Sequence, residues 1–216
     1  MPGLGVSWEQ KTPPNFMIPN DARKITVLLS GGIDSTLLLY LLAKEITDNK
    51  LPIQLDCVSF RGGSVVPRQT KAVIQWVQQK FHIPITYNHS APRSWIRNVV
   101  QDVLVVCEPD YVFTGCNNVV VDQFTPTKHI PGDTPPERGE PFNEQHLRPF
   151  IHWDKIAIVE QYLNHDILDL LKITHSCGVL HETECGECYF CMEKIWATKT
   201  LGINYLFKYK NDINNR

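Results

Sequence analysis

The sequence lacks the features of a membrane or secreted protein. None of its apolar runs reaches the roughly 18 residues that span a bilayer, and residues 1–19 lack the basic-then-apolar order of a signal peptide. The net charge is only -2, from 21 Lys and Arg against 23 Asp and Glu. This balance gives no electrostatic reason to expect broad binding to nucleic acid or to a membrane surface. We therefore expect a cytoplasmic protein.

What the 216 residues do contain is material for a buried core, since 43% are hydrophobic and 20% are charged. This length favours one compact domain with a small appendage. Strand-like and helix-like patterns alternate along the chain, which predicts an α/β fold with a doubly wound, mostly parallel sheet. The predicted strands are 24–29, 53–60, 83–87 and 111–115. The predicted helices follow the first strand and then span 68–81, 95–107, 154–164, 167–172 and 189–201.

Composition divides the chain into four parts. A Pro-rich extension, 1–22, precedes an α/β domain, 23–150, which is followed by a helical region, 151–207, and a polar tail, 208–216. Within the α/β domain, residues 117–148 carry five of the fifteen prolines and predict a long loop. Loops of this length are usually either functional or disordered.

A glycine-rich turn joins the first predicted strand to the first predicted helix. Paired glycines let backbone N–H groups approach a phosphate, two serines add hydroxyl groups, and the helix N-terminus favours an anion. The turn lacks the Gly-Lys-Ser/Thr of P-loop NTPases and the third glycine of the dinucleotide fingerprint, which excludes both motifs. An ordinary strand-to-helix turn is the structural alternative. The residues of the turn are Ser30, Gly31, Gly32, Ile33, Asp34 and Ser35.

This hexapeptide resembles the PP-loop, Ser-Gly-Gly-x-Asp-Ser, of the ATP pyrophosphatase superfamily, whose fold is adenine nucleotide alpha hydrolase-like. Members cleave ATP between the α and β phosphates, attach AMP to a carbonyl or carboxyl oxygen, and release pyrophosphate. The resemblance implies that the loop holds the pyrophosphate and that Ser30, Asp34 and Ser35 are its catalytic residues. A carboxylate beside phosphates needs a cation between them, so Asp34 is expected to act with Mg²⁺ or to shape the loop.

The same resemblance places the ends of the second and fourth strands in the nucleotide pocket. The end of the second strand carries Ser59, Phe60 and Arg61, and the end of the fourth strand carries Gly115 and Asn117. A glycine at a strand end allows close approach of the backbone to a ligand, but it also suits a simple turn. Arg61 fits either a phosphate contact or a solvated surface position.

Four cysteines crowd into a short C-terminal segment, as one Cys followed by two consecutive C-x-x-C steps. In a reducing compartment this crowding indicates a metal site, and four thiolates suit a closed, structural Zn²⁺ site. An iron–sulfur cluster is the competing interpretation. The four are Cys177, Cys185, Cys188 and Cys191. The remaining cysteines, Cys57, Cys107 and Cys116, are expected to be buried and inert, with only Cys116 near the predicted pocket.

Together the two motifs resemble the 7-cyano-7-deazaguanine synthase (QueC) family. Residues 147–159 resemble its Pro-Leu-Ile-x-x-x-x-Lys-x-Glu-Ile segment, and residues 174–177, Thr-His-Ser-Cys, resemble its Thr-Trp-Ser-Cys. The resemblance implies ATP, Mg²⁺, structural zinc and a homodimer. It also implies adenylation of 7-carboxy-7-deazaguanine, capture by ammonia as an amide, and dehydration of that amide to the nitrile.

The chain departs from that family where the base is bound. Residues 60–64, Phe-Arg-Gly-Gly-Ser, replace Tyr-Gly-Gln-Arg-His, and residues 121–126 lack the family's Cys-Arg-Pro. Asp122 and Lys155 remain as candidate substrate contacts. In this change of the segments that bind the base and its acceptor, the chain resembles divergent QueC-like proteins of antiviral defence operons and phages. Some of those proteins pass an activated deazaguanine to a protein amine.

Three functions therefore compete. The first is a QueC-like enzyme with ammonia or a protein amine as acceptor. The second is another PP-loop enzyme, such as a tRNA thiolase, which the near-neutral charge disfavours. The third is a nucleotide-binding module without catalysis, which the intact loop disfavours because nothing structural demands two serines and an aspartate there.

Overall fold

The computed structural model describes residues 17–59, 65–89, 96–118, 143–178 and 183–203. Within these ranges the chain forms five strands and six helices. In chain order they are β1 (Lys24–Leu28), α1 (Ile33–Asp48), β2 (Gln54–Ser59), α2 (Val65–Phe81), β3 (Ile85–His89), α3 (Ile96–Val106), β4 (Tyr111–Thr114), β5 (His146–Leu147), α4 (Lys155–Asn164), α5 (Leu168–Ile173) and α6 (Tyr189–Thr200).

The five strands form one parallel sheet in the order β3-β2-β1-β4-β5. The chain runs from β1 outward to β2 and β3, and then returns to add β4 and β5 on the other side of β1. The direction of growth reverses between β1 and β4, and open α/β sheets bind their ligands at such a switch point. The predicted α/β class with a doubly wound parallel sheet is confirmed.

A buried strand–helix unit supports this switch point. β1 is buried from Ile25 to Leu28 because strands pair on both of its sides and helices cover both faces of the sheet. In α1, the side chains of Leu37, Leu38 and Leu42 are fully buried. The turn that joins β1 to α1 is therefore held at both ends by packed core.

Residues of helix α4 hold the first turn of α1 in place. The Asp154 side chain caps α4 by accepting a hydrogen bond from the Ala157 N–H at 2.9 Å. The buried Tyr162 hydroxyl donates to the carbonyl oxygen of Ile33 at 2.7 Å. Residues at both ends of α4 thus contact the first turn of α1, since Lys155 also reaches this turn.

Several element boundaries differ from the sequence predictions. The third strand begins at Ile85 rather than at residue 83, because Pro84 has no N–H to donate to the ladder. The second helix begins at Val65, three residues before the predicted start. β5 lies inside the predicted loop 117–148 and was not predicted, since two residues cannot display a strand's alternation.

The described residues leave part of the predictions untested. The extension up to residue 16, most of the Pro-rich loop (119–142) and the tail from residue 204 lie outside them. None of the helices in the described ranges combines the length and the apolar character that crossing a bilayer requires.

The short strand β5 introduces a pH-sensitive residue. His146 is buried, and its Nε2 lies 2.9 Å from the Thr114 hydroxyl of β4. Burial, aided by the charge of Arg148, lowers the pKa of His146 from 6.5 to about 4. Between these two pH values the unfolded chain binds a proton that the folded protein does not bind, so stability falls as the pH falls through this window.

We expect urea unfolding to report a loss of about 2 kcal/mol from this group between pH 7 and pH 5. The variant His146→Gln should have a shallower pH dependence. Some slope should remain, because burial also lowers the pKa of His165. An unchanged slope in the variant would contradict the assignment to His146.

Candidate functional site

The glycine-rich turn forms a loop at the carboxyl end of β1, with its hydroxyl groups turned inward. The Ser35 hydroxyl accepts from the Ser30 N–H at 3.1 Å and lies 3.0 Å from the Ser30 hydroxyl. The Gly32 N–H donates to the Ser30 hydroxyl at 3.3 Å. Gly31 has a φ of +77°, which glycine adopts without strain. The two serines therefore brace the loop around the N-terminus of α1.

The backbone N–H groups at the start of α1 face the loop, where those of Gly32 and Ile33 donate to the hydroxyls of Ser30 and Ser176 at 3.3 and 3.4 Å. Gly32 occupies the N-cap position of α1 and provides no side chain to cap these groups. Ile33 contributes only its backbone here, since its side chain is fully buried in the core. A braced loop with N–H groups at a helix start is an arrangement that binds phosphate.

A buried lysine closes one side of the loop. The Lys155 ammonium lies 2.6 and 2.5 Å from the two carboxylate oxygens of Asp34, and 3.0 Å from a carboxylate oxygen of Glu193 on α6. Asn117 donates to the other Glu193 oxygen at 3.5 Å. Lys155 is only 3% exposed and Glu193 only 2%. These four residues form a charged cluster whose formal charge, with one lysine and two carboxylates ionised, is negative.

The cluster sets the charge state of its members. Burial opposes the charged form of Lys155, but Asp34 and Glu193 together more than offset it, so the pKa of Lys155 is raised. Burial raises the pKa of Glu193, and the nearby Asp34 acts in the same direction, while Lys155 opposes them. The one ammonium therefore pairs with two carboxylates, of which that of Asp34 faces the cavity.

The close approach at Gly115 is to the backbone at the start of α1. A Cβ at this position would lie 2.7 Å from the Ser35 nitrogen and 2.8 Å from the carbonyl carbon of Asp34. Both neighbours are backbone atoms at the start of α1 and cannot move aside cheaply. The end of β4 is thus pressed against the loop, which explains the glycine without a ligand.

We expect Gly115→Ala to displace the loop, with a cost of about 1–3 kcal/mol in stability and weaker binding of the ATP that the PP-loop resemblance predicts. Gly202→Ala is the matched control, because Gly202 has a φ of +72° and a Cβ there would meet nothing within 4 Å. The control should lose about 1–2 kcal/mol from backbone strain alone and keep its ATP affinity. Urea unfolding and calorimetric titration measure the two effects. Equal ATP affinity in both variants would contradict the steric argument.

A cavity of about 190 Å³ opens beside the loop at the switch point. It brings together predicted residues from three separate segments. The residues that the sequence analysis predicted for the site and that line this cavity are Ser30, Gly32, Asp34, Ser35, Gly115 and Lys155. Cys116, Ser176 and Phe190 also line it.

Other predicted residues lie elsewhere. Ser59 is buried and its hydroxyl lies 2.9 Å from that of Tyr87. Asn117 is 8% exposed and contacts Glu193 rather than the cavity. Phe60, Arg61 and Asp122 lie outside the described residues.

Ser176 and Glu193 were not predicted as site residues. Ser176 lines the cavity and its hydroxyl accepts from the Ile33 N–H at 3.4 Å. The signals for it were its place directly before Cys177 and its match to the serine of the QueC family's Thr-Trp-Ser-Cys. Glu193 gave no signal, because a glutamate on a short helix is ordinarily expected on the surface.

The four predicted cysteines converge on one buried point. Their sulfur atoms all lie within 4.8 Å of one another, with 3.9 Å between Cys185 and Cys191 and 4.0 Å between Cys177 and Cys188. With Zn–S bonds of about 2.3 Å, a tetrahedron places its sulfurs about 3.8 Å apart. The cluster can therefore hold a single metal ion with little rearrangement.

Backbone N–H groups prepare these sulfurs for a cation. The N–H groups of Glu187 and Cys188 point at the Cys185 sulfur at 3.4 and 3.3 Å, in a turn that Gly186 permits with a φ of +76°. Such contacts favour the thiolate, which is the form that binds metal.

Comparison with known proteins gives local similarity only. No family model matches the chain. A stretch of 75 residues is 31% identical to the glutamine-hydrolysing GMP synthase of Gloeobacter violaceus, covering 35% of this chain and 13% of that protein. A stretch of 71 residues is 32% identical to the same enzyme of Nostoc sp., covering 33% and 12%. This chain thus spans about an eighth of the length of these relatives.

Among solved structures, the chain is similar to the U34-tRNA thiolase NcsA from Methanococcus maripaludis with its 4Fe-4S cluster. The TM-score is 0.46 and the identity 15%, over 85% of this chain and 66% of that one.

The parallel sheet, the glycine loop at its switch point and the local similarity to GMP synthases agree with the PP-loop resemblance of the sequence. The aligned stretch covers 35% of the chain and by itself shows membership of no family.

Proposed function

We propose that this protein is a QueC-like ATP-dependent enzyme that forms a C–N bond. It adenylates the carboxylate of a 7-carboxy-7-deazaguanine-type substrate and passes the activated group to ammonia or to a protein amine. The observation that carries the proposal is the braced loop with the Asp34–Lys155 pair at the cavity wall. Phosphate-binding N–H groups and a cation meet there at the switch point of the sheet.

The proposed reaction needs positioning and charge neutralisation more than covalent work by side chains. A carboxylate oxygen attacks the α-phosphorus of ATP, the bond from that phosphorus to the α–β bridging oxygen breaks, and pyrophosphate leaves. The amine nitrogen then attacks the acyl carbon, the bond to the AMP oxygen breaks, and the nitrogen loses a proton. AMP and an amide result.

Particular residues are proposed for each part of this reaction. The loop, with Ser30 and Ser35, holds the leaving pyrophosphate, and Lys155 neutralises charge that develops near the α-phosphate. Asp34 is proposed to act with Mg²⁺, because a carboxylate beside phosphates needs a cation between them. Mg²⁺ supplies further charge neutralisation when bound.

The four cysteines are proposed to bind Zn²⁺ in a structural role. Sulfur separations near 4 Å suit one ion, whereas an iron–sulfur cluster puts several iron atoms between the sulfurs and needs more room. All four cysteines are buried, which leaves no open coordination position for a reactant.

The deazaguanine substrate is proposed from the two segments that resemble the QueC family. Lys155 of one segment and Ser176 of the other both line the cavity beside the loop. Lys155 and Ser176 lie 121 and 143 residues after Asp34 and Ile33, which they contact, so both segments meet the loop where the substrate would react. A homodimer, as in that family, is the proposed assembly.

The test is to incubate the purified protein with ATP, Mg²⁺, 7-carboxy-7-deazaguanine and ammonia, and to identify the products by mass spectrometry. AMP with the nitrile or the amide supports the proposal, and a deazaguanine mass added to a protein supports the protein-amine branch. No substrate-dependent AMP overturns it. Metal analysis of the same sample should find zinc, and visible absorbance with bound iron would instead favour a thiolase-type enzyme.

A further inference from the structure

A short segment connects the glycine loop to the cysteine cluster. We call residues 174–176 the strap. The His175 N–H donates to the carbonyl oxygen of Gly31 at 2.8 Å, and the Ser176 hydroxyl accepts from the Ile33 N–H. The next residue is Cys177, the first cysteine of the cluster. The strap therefore touches the loop on one side and continues directly into the metal-binding cysteines on the other.

A buried ion pair holds the strap in place. The Lys194 ammonium lies 3.0 Å from both carboxylate oxygens of Glu184 and donates to the carbonyl and hydroxyl oxygens of Thr174 at 3.3 Å. Glu184 in turn accepts from the Ser176 N–H at 2.6 Å. Lys194 is fully buried and Glu184 is 7% exposed. The pair thus contacts the strap at both of its ends.

Stability alone does not account for this pair. Burying two charges costs desolvation energy, and apolar residues of similar volume often serve stability as well or better. What apolar side chains cannot do is fix polar backbone groups in one orientation. The contacts of Lys194 and Glu184 are directed at such groups, the Thr174 carbonyl and the Ser176 N–H.

We propose that Glu184 and Lys194 are positioning residues of the pyrophosphate loop, acting through the strap. This inference rests on the proposed function, because the ligand whose binding they control is ATP.

The geometry of one peptide group explains how the effect reaches the ligand. The His175 N–H fixes the carbonyl oxygen of Gly31, and this orients the Gly31–Gly32 peptide so that the Gly32 N–H points to the Ser30 hydroxyl inside the loop. Glycine on both sides makes this peptide easy to rotate. Without the strap, rotation would turn a carbonyl oxygen toward the phosphates in place of an N–H. Anion binding would then weaken more than global stability.

The test compares the double variant Glu184→Gln/Lys194→Met with wild type. This variant buries no unpaired charge, and the amide of the introduced glutamine retains an oxygen for the Ser176 N–H, so it is expected to fold. Ser176→Ala is the second variant and removes only the hydroxyl. Val103→Ala is the control, since Val103 on α3 is buried in a cluster that contains neither loop nor strap residues and otherwise consists of Leu28, Val58, Val99, Val100 and Val112.

Three quantities are measured: affinity for ATP with Mg²⁺ by calorimetry, zinc content, and hydrogen exchange of peptides covering 28–38 and 172–178. We expect the double variant to bind ATP at least tenfold more weakly and to exchange faster in both peptides, with its zinc retained. Ser176→Ala should weaken binding by a smaller factor. Val103→Ala should melt at a lower temperature with unchanged ATP affinity.

The outcomes separate this inference from the proposed function. Wild-type ATP affinity and exchange in the double variant would overturn the positioning role, as would an equal loss of affinity in Val103→Ala. If wild type itself binds no ATP, the proposed function fails. The exchange data then still decide whether the pair orders the loop: faster exchange supports that role, and unchanged exchange overturns it.

Discussion

Replacing Lys155 by methionine is expected to lower substrate-dependent AMP formation by about 10²- to 10³-fold. The ammonium is the buried cation beside the loop, and its loss removes the charge that offsets the phosphates. The same change leaves the Asp34 and Glu193 carboxylates without their shared partner. Removing one member of a buried ion pair costs about 3–5 kcal/mol, so urea unfolding should report a loss in that range.

Two further variants separate the catalytic loss from the loss of stability. Lys155→Met/Glu193→Gln removes the buried charge of Glu193, and it should recover part of the stability while AMP formation stays low. Lys44→Met is the matched surface control, because Lys44 pairs with Asp48 one turn along α1 on the exposed face. It should cost about 0.5 kcal/mol or less and leave the rate unchanged. Recovery of the rate in the double variant would contradict a role for Lys155 in the reaction.

Replacing Cys188 by serine is expected to have the largest effect on folding. Cys188 is fully buried and provides one of the four converging sulfurs. A structural zinc site contributes binding energy directly to folding, so its loss should destabilise the protein by about 5 kcal/mol or more. For a chain of this size that corresponds to a fall in melting temperature of about 10–20 °C. Thermal melting and metal analysis of the same sample measure the effect.

The control for this experiment is Cys107→Ser. Cys107 is partly exposed after α3 and lies outside the four-cysteine cluster. This variant should keep one equivalent of zinc and nearly the wild-type melting temperature. If zinc-free Cys188→Ser melted like wild type, a structural role for the metal would be wrong.

The parts of the fold that the sequence predicts well have strong local patterns. β1 and α1 follow from an apolar run, a glycine turn and leucines at helical spacing, and Asp154 is a recognisable cap of α4. β5 could not be predicted, because it consists of two residues that pair only with a distant strand, β4. Its existence depends on tertiary packing and not on local pattern.

The residues of the candidate site likewise divide into those with a strong local pattern in the sequence and those without one. The loop and the cysteines were predictable because each has its chemistry within a few consecutive residues. The side chains that contact Asp34 and Ile33 were not predictable. They are Lys155 and Ser176, which lie 121 and 143 residues away along the chain. Lys155 was predicted as a substrate contact from resemblance, and its ion pairs with Asp34 and Glu193 emerge only in the folded protein.

Buried charges were the main omission. Glu184, Glu193 and Lys194 are all less than a tenth exposed, although charged residues are rarely buried. No sequence pattern distinguishes them from surface residues of a short helix and loop. Only the fold reveals that these charges pair beneath the loop and the strap.

The measurement that tests the central claim most directly follows oxygen from the substrate to the nucleotide. The protein is given ATP, Mg²⁺, ammonia and 7-carboxy-7-deazaguanine labelled with oxygen-18 in its carboxylate, and the nucleotide products are weighed by mass spectrometry. Attack of the carboxylate on the α-phosphorus predicts AMP that carries one heavy oxygen, with unlabelled pyrophosphate. ADP in place of AMP, or AMP without the heavy oxygen, would contradict adenylation of the carboxylate at this loop.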